Sequence, residues 1–165
     1  MPLLGSGTIL REIVVAAELL DKDFGVTADI WSCPSFNELA RDASDVERWN
    51  RLNPEAKTAR KPYITELLEG RVGPAIAATD YIRMYPEQVR AFVPMRYTVL
   101  GTDGFGRSDT RANLRRHFEV DQYYIAHAAI AVLAAEGKMT GKDVARSCGW
   151  PWTAMTFRPI SPPGC

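Results

Sequence analysis

Short apolar segments alternate with amphipathic helical segments along most of this chain, and this alternation limits its fold more than any other feature. Segments rich in β-branched and small apolar residues lie at 26–33, 74–79 and 96–100, and another follows the amino terminus. Between them, hydrophobic residues recur every three or four positions, which is the period of a helix with one buried face. Alternating strands and helices build a mostly parallel sheet that is covered by helices on both faces. We therefore predict an α/β fold, a three-layer α/β/α sandwich whose sheet has about five strands, mostly parallel and with one reversed.

The same periodicity predicts where the helices lie. The helical segment at 36–52 is expected to be interrupted around Asp42–Asp45, and Thr8 or Ser6 is expected to cap the first helix. The other helical segments are expected at 9–24, 63–68, 81–93, 109–118 and 122–136.

Length, charge and cysteine content limit the class of protein. A chain of 165 residues with 46% hydrophobic and 24% charged residues is typical of one globular domain, which excludes disordered, collagen-like and coiled-coil chains. Twenty Lys+Arg balance twenty Asp+Glu, so no global field favours nucleic acid or a membrane surface as partner. Three separated cysteines without CxxC spacing indicate a reduced, cytoplasmic protein. There is no apolar run of about 18 residues that would span a membrane.

The carboxyl-terminal residues differ in composition from the rest. Residues 147–165 hold four of the eleven prolines, two of the four tryptophans and a single charged side chain, Arg158. The prolines exclude a regular helix. We therefore predict one domain at 1–146 and an atypical tail at 147–165, and we favour a frameshifted or foreign sequence over a packed native tail. Only Met1 and Pro2 precede the first strand, so we also expect a domain cut from a longer chain.

No catalytic pattern in the chain is complete. The turn Gly5–Gly7 follows a strand, as dinucleotide-binding turns do, but Leu10 replaces the third glycine and Cys33 stands where an acid is needed. A tight, packed turn is the simpler interpretation. His117 and His127 lack ligand spacing, and His127 is expected to be a packed, hydrogen-bonded residue. There is no GxSxG nucleophile, and Cys33 is expected to be a buried small hydrophobe. We predict no catalytic, cofactor-binding or metal-binding residue in this chain.

The loop at 101–111 is the most specific local feature. Three glycines in six residues directly after a strand allow backbone conformations that other residues resist. Phe105 can project as an apolar anchor, and Ser108 or Asp109 can cap the following helix. The arginines of the loop can grip a carboxylate or a phosphate, although a helix cap with surface ion pairs is the function-neutral interpretation. The candidate interface or anion-binding residues are Gly5, Ser6, Gly7, Asp103, Phe105, Gly106, Arg107, Ser108, Asp109 and Arg111.

This loop and five further strings resemble a known enzyme family. The pattern Asp-x-Phe-Gly-x-Ser at 103–108, followed by a helix, resembles the last domain of the transketolase-like, thiamine-diphosphate-dependent enzymes. The longer strings are more specific and resemble the homodimeric bacterial pyruvate dehydrogenases, the decarboxylating first components of their complexes. The likeness covers roughly residues 3–146. It is carried by LGSGTILRE at 4–12, SFNELARD at 35–42, DVERWNRL at 45–52, ATDY at 78–81, VLGTDGFGRSDTR at 99–111 and FEVD at 118–121.

The resemblance implies a transketolase C-terminal-domain-like fold and a supporting role. In the parent enzyme, pyruvate is oxidatively decarboxylated on thiamine diphosphate, and the acetyl unit passes to a lipoyl group of the acetyltransferase component. The cofactor, its magnesium and the principal acid–base residues belong to upstream domains. The resemblance therefore implies an inactive C-terminal domain that supports the dimer.

Its implied partners are the upstream domains of the parent chain, the homodimer partner and the lipoyl acetyltransferase component, without nucleic acid or membrane. Separation from the upstream domains would expose apolar side chains, Phe105 among them, and favour self-association. The alternative that remains is a small-anion-binding regulatory module built on the loop at 103–111.

Overall fold

The computed structural model describes residues 1–150, and their four strands form one parallel sheet. The strands lie in the order β2-β1-β3-β4, and each neighbouring pair runs parallel. The α/β class is confirmed. The sheet differs from the predicted one in having four strands rather than about five, and no strand within residues 1–150 is reversed. Each connection contains at least one helical segment, which returns the chain to the same end of the sheet. The strands are β1 (Pro2–Gly5), β2 (Asp29–Ser32), β3 (Ala75–Ala78) and β4 (Tyr97–Leu100).

Seven helices surround the sheet within the described residues. Two single turns of 3₁₀ helix, at Gly7–Ile9 and Arg90–Phe92, accompany them. The helices are α1 (Leu10–Phe24), α2 (Phe36–Leu52), α3 (Tyr63–Leu68), α4 (Met84–Glu87), α5 (Arg111–His117), α6 (Gln122–Ala135) and α7 (Gly141–Ser147).

The core consists of two clusters, one on each face of the sheet. Successive side chains of a strand point to opposite faces, and Leu3 and Leu4 of β1 accordingly belong to different clusters. Leu3 packs with residues of α1 and α6, whereas Leu4 packs with residues of α2 and α3. In β3, Ile76 belongs to the cluster of Leu3 and Ala77 to the cluster of Leu4. These four side chains are all buried. The predicted three-layer α/β/α arrangement is therefore confirmed.

The predicted interruption of the helix at 36–52 is wrong, because α2 is continuous. Its buried residues Phe36, Ala40 and Ala43 follow helical spacing. The charged residues near Asp42 are exposed, so they occupy the solvent face of one helix and do not break it. The Asp42 carboxylate also accepts a hydrogen bond from the backbone amide of Tyr63 at 2.7 Å, which ties α2 to the start of α3.

Two other predicted elements are shorter than expected. The strand predicted at 26–33 is limited to Asp29–Ser32, because the four residues of β1 offer it only four partners. The helix predicted at 81–93 is reduced to α4 and one 3₁₀ turn. Pro86 lies within this segment, and proline removes an amide donor and disfavours helical backbone at the preceding residue.

The helix α7 packs against α6 through a histidine and a serine. Ser147 is fully buried, and its hydroxyl donates to the carbonyl oxygen of Val144 at 2.7 Å. The Ser147 Oγ atom also lies 2.7 Å from Nδ1 of His127. Partial burial lowers the pKa of His127 below its ordinary value. His127 is thus a packed, hydrogen-bonded residue, as predicted.

Packed structure continues past Arg146 to Trp150. The Trp150 ring lies edge-on to Phe24 with 5.7 Å between ring centroids, and its indole N–H donates to Asp23 Oδ2 at 3.1 Å. Trp150 therefore covers the carboxyl-terminal end of α1. The rest of the predicted tail, 151–165, lies outside the described residues.

The direction of the chain changes at the centre of the sheet. After β1 the chain crosses one face through α1 to reach β2, whereas after β3 it uses the other face to reach β4. The connections that follow β1 and β3 therefore run over opposite faces of the sheet. Such a reversal places a crevice at the carboxyl-terminal ends of the strands, which we call the carboxyl edge of the sheet. None of the helices within residues 1–150 is both long and apolar enough to cross a bilayer.

Candidate functional site

The loops that follow β1, β3 and β4 meet at the carboxyl edge of the sheet. The Tyr81 hydroxyl donates to Ser6 Oγ at 2.9 Å, and the Thr8 hydroxyl donates to Asp80 Oδ2 at 2.8 Å. The backbone amide of Thr102 donates to the carbonyl oxygen of Tyr81 at 3.0 Å. One hydrogen-bond network therefore joins the turn after β1 to the loops after β3 and β4.

The turn Gly5–Gly7 is tight and closely packed. A Cβ atom on Gly5 would lie 2.9 Å from the Cα of Leu10, and Gly7 has a positive φ of 56°. The predicted capping by Ser6 or Thr8 is wrong, because neither hydroxyl bonds the start of the helix. Both hydroxyls bond instead to the loop after β3, which holds the turn against its neighbour.

The glycine at position 101 is required by a close backbone approach. A Cβ atom there would lie 2.7 Å from Cβ of Arg83, 2.9 Å from its Cα and 3.0 Å from its backbone nitrogen. Gly101→Ala should lower the free energy of unfolding by about 1 kcal/mol or more, because the loop after β3 must shift. Gly106→Ala is the matched control, since nothing lies within 4 Å of a Cβ atom there. Equal urea midpoints for the two variants would contradict this account.

The loop at 103–110 is exposed and is held at its two ends. Arg83 Nε lies 2.5 Å from Asp103 Oδ2 in an exposed ion pair at one end. At the other end, Thr110 caps α5, accepting a hydrogen bond from the Asn113 amide at 3.3 Å. The prediction that Ser108 or Asp109 is the cap is therefore wrong by one or two residues.

Asp109 serves the start of α5 in a different way. Its carboxylate accepts hydrogen bonds from the side-chain amide of Asn113 at 2.8 Å and from the backbone amide of Thr110 at 2.7 Å. These two bonds, the first above all, hold the pKa of Asp109 below its usual range. Asp109 therefore stabilises the junction between the loop and α5 through local hydrogen bonds.

A groove of about 300 Å³ lies beside this loop, between α5 and the carboxyl ends of the strands. Polar side chains from all three loops line it together with side chains of α5 and of the residues after α5. Of the two arginines predicted to hold an anion, Arg111 lines the groove and Arg107 does not. The groove therefore does not bring these arginines onto one ligand. Its walls include Thr8, Asp80, Thr102, Arg111, Leu114 and Phe118.

A largely buried ion pair lies at the wall of the groove, because Arg115 is also one of its lining residues. Arg115 Nη1 lies 2.5 Å from Glu12 Oε1, and the two side chains are only 18% and 14% exposed. Glu12 Oε2 also accepts a hydrogen bond from the backbone amide of Gln122 at 3.2 Å. One carboxylate thus ties the start of α1 to α5 and to the start of α6.

Sequence reasoning missed several residues of this edge. Glu12, Asp80 and Tyr81 were not singled out, although each lies in a string that carries the family resemblance. Thr8 was considered only as a cap. Their partners are distant along the chain, so no local pattern could have revealed the bonds.

The Cys33 thiol is buried and poorly suited to act as a nucleophile. Cys33 is 7% exposed, and burial raises the pKa of its thiol to about 12, so the thiolate is suppressed. Cys33 is the buried small hydrophobe that was predicted. Within residues 1–150 no group of three His, Cys, Asp or Glu side chains is placed to hold a metal ion.

Large apolar side chains are exposed at the same edge. Phe105 is 98% exposed and Met84 is 64% exposed, and Ile82 and Tyr85 are also exposed. The ion pair between Arg83 and Asp103 holds the two segments that carry these residues side by side. We call Ile82, Met84, Tyr85 and Phe105 the carboxyl-edge apolar residues.

Comparison with known proteins places these features in a family. The family model of the transketolase-like TK C-terminal domain matches residues 1–121. A Cupriavidus necator protein named pyruvate dehydrogenase E1 component is 57% identical over 141 residues, which cover 86% of this chain and 16% of the relative. A Pseudomonas aeruginosa protein of the same name is 57% identical over 146 residues, with coverages of 88% and 16%. The chain thus spans 16% of the length of these relatives and matches their C-terminal region.

A solved structure supports the fold. A split-gene transketolase, described as an inactive beta4 tetramer, aligns with 81% of this chain and 39% of its own, with a TM-score of 0.50 and 12% identity. At this identity the likeness concerns the fold alone. None of these comparisons supports a separate anion-binding module at 103–111.

Proposed function

Because this chain belongs to the transketolase-like C-terminal domain family, we propose that it is the C-terminal domain of a homodimeric pyruvate dehydrogenase. The identity of 57% to two proteins of that name, over most of this chain, is the observation that carries the proposal. The parent would be cytoplasmic and would decarboxylate pyruvate oxidatively on thiamine diphosphate and magnesium. It would pass the acetyl unit to a lipoyl acetyltransferase component.

The role of the domain itself is structural. Within residues 1–150 no group of side chains is placed to hold a metal ion, and burial holds the Cys33 thiol protonated. The chain would hold neither thiamine diphosphate nor magnesium, and the reaction would take place on upstream domains of the parent chain.

The carboxyl edge is the surface that we assign to the rest of the parent. The turn Gly5–Gly7, the loop at 103–111 and the carboxyl-edge apolar residues would face the upstream domains or the homodimer partner. Phe105 is almost fully exposed, and so large an apolar surface is costly unless another surface covers it. This exposure is the structural support for the assignment.

The isolated chain and a chimaera test the proposal together. The 165-residue chain should show no pyruvate decarboxylation and no saturable heat of thiamine diphosphate binding in calorimetry with magnesium present. A chimaera in which residues 1–150 replace the matching region of the Cupriavidus necator relative should dimerise and decarboxylate pyruvate. Cofactor binding by the isolated chain, or a folded chimaera without activity, would contradict the proposal.

The interface is tested in the same chimaera. The double substitution Met84→Ser and Phe105→Ser should weaken dimerisation of the chimaera or make its interdomain segments easier to cleave by protease. Both residues lie at the assigned surface. Val72→Ser is the matched control, since Val72 is 80% exposed but lies before the amino end of β3. Equal dimerisation and equal protease resistance of the two chimaeras would contradict the assignment of the carboxyl edge as an interface.

A further inference from the structure

The groove at the carboxyl edge has the size and position of a small-ligand site. Its volume of about 300 Å³ lies at the lower end of the range for ligand pockets. It opens where the chain leaves β1 and β3 in opposite directions, which is where open α/β sheets bind ligands. A ligand that fits must therefore be small.

One wall of the groove presents an oriented carboxylate. The Thr8 hydroxyl donates to Asp80 Oδ2 at 2.8 Å, and the Thr102 hydroxyl donates to the carbonyl oxygen of Asp80 at 3.3 Å. Asp80 is exposed, and its second carboxylate oxygen, Oδ1, accepts no hydrogen bond within residues 1–150. That oxygen can accept a hydrogen bond from a ligand cation.

The groove also presents a cation that the protein itself does not neutralise. Arg115 is paired with Glu12. Arg111 lines the groove, is exposed and makes no ion pair within residues 1–150. Its guanidinium can hold a carboxylate through two parallel hydrogen bonds. The helix that begins at Arg111 is too short to contribute an anion site of its own.

The presence of both charges decides the class of ligand. A simple anion at Arg111 would also face the Asp80 carboxylate, which repels it. A zwitterion can bind the Asp80 carboxylate and the Arg111 guanidinium together. The apolar side chains of Leu114 and Phe118 can contact an apolar substituent of such a ligand. We propose that this groove binds a free α-amino acid with a small apolar side chain. Its ammonium group lies at Asp80 and its carboxylate at Arg111.

Calorimetric titration of the 165-residue chain with L-valine tests the proposal. We expect saturable binding at one site. The corresponding oxo acid, 3-methyl-2-oxobutanoate, lacks the ammonium group, and isobutylamine lacks the carboxylate. Each should bind at least about tenfold more weakly, because one charge-assisted hydrogen-bond pair is lost. Absence of saturable binding by L-valine, or equal binding of the oxo acid, would overturn the proposal.

Two conservative variants locate the site. Asp80→Asn keeps an acceptor for Thr8 but removes the charge, and Arg111→Gln removes the guanidinium. Each should weaken L-valine binding by about tenfold or more while the circular dichroism spectrum stays unchanged. Arg48→Gln on α2, which packs on the other face of the sheet from α1 and α6, should bind L-valine as the unmodified chain does. Folded Asp80 and Arg111 variants with unchanged affinity would refute the assignment.

Discussion

Replacing Glu12 with alanine is expected to lower the free energy of unfolding by about 3 kcal/mol. The change removes the partner of Arg115, whose side chain is only 18% exposed and whose guanidinium then remains as an uncompensated charge. It also removes the acceptor of the Gln122 backbone amide at the start of α6. The value lies at the low end for buried pairs because both side chains keep some contact with solvent.

Urea unfolding followed by far-UV circular dichroism measures this loss. Glu18→Ala on the exposed side of the same helix is the control and should change stability by less than about 0.5 kcal/mol. The double variant lacking both Glu12 and Arg115 side chains should be more stable than Glu12→Ala alone, because no unpaired charge remains. Equal effects of Glu12→Ala and Glu18→Ala would show that the pair does not support the fold.

Replacing Trp150 with alanine is expected to cost about 2 kcal/mol of unfolding free energy. The indole ring packs edge-on against Phe24 and lies 5.9 Å, centroid to centroid, from the Tyr123 ring. Its N–H donates to Asp23 at 3.1 Å. The cost is below that of a fully buried tryptophan because Trp150 is partly exposed.

A second substitution separates packing from hydrogen bonding at this position. Trp150→Phe keeps an aromatic ring against Phe24 but removes the donor to Asp23, so it should cost about 1 kcal/mol. Thermal or urea unfolding of the full chain gives both values. Unchanged stability in both variants would contradict the packing of Trp150 against α1.

Much of the fold could be predicted because the signals are local. The helix at Tyr63–Leu68 and the strand at 75–78 follow from short apolar patterns bounded by proline and glycine. The errors arose where local composition competes with tertiary contacts. The charges near Asp42 suggested a break, but the buried face of α2 is anchored by Phe36, Ala40 and Ala43 and needs no apolar residue on its other side.

The candidate site was predicted only in part, for a related reason. The glycine-rich loop and the turn after β1 are visible as local motifs, and the structure brings both to the carboxyl edge of the sheet. Two of the bonds that join this edge connect residues more than 70 positions apart, Thr8 with Asp80 and Ser6 with Tyr81. The periodicity of hydrophobic residues along the sequence carries no information about such long-range pairs. The division of the chain at residue 146 remains a prediction, although packed structure extends to Trp150.

The central position of β1 has a consequence for how the domain folds. The first strand of the chain lies between β2 and β3, and Leu3 pairs with both Ile30 and Ile76. Within this domain β1 is therefore synthesised before both of its partner strands, and Ile76 follows Leu3 by more than 70 positions. Such long-range pairing slows folding. Until β3 has left the ribosome, Leu3 and Leu4 remain uncovered on one edge of an incomplete sheet. The interval in which this chain is most exposed to aggregation is therefore set by the emergence of residues 75–78.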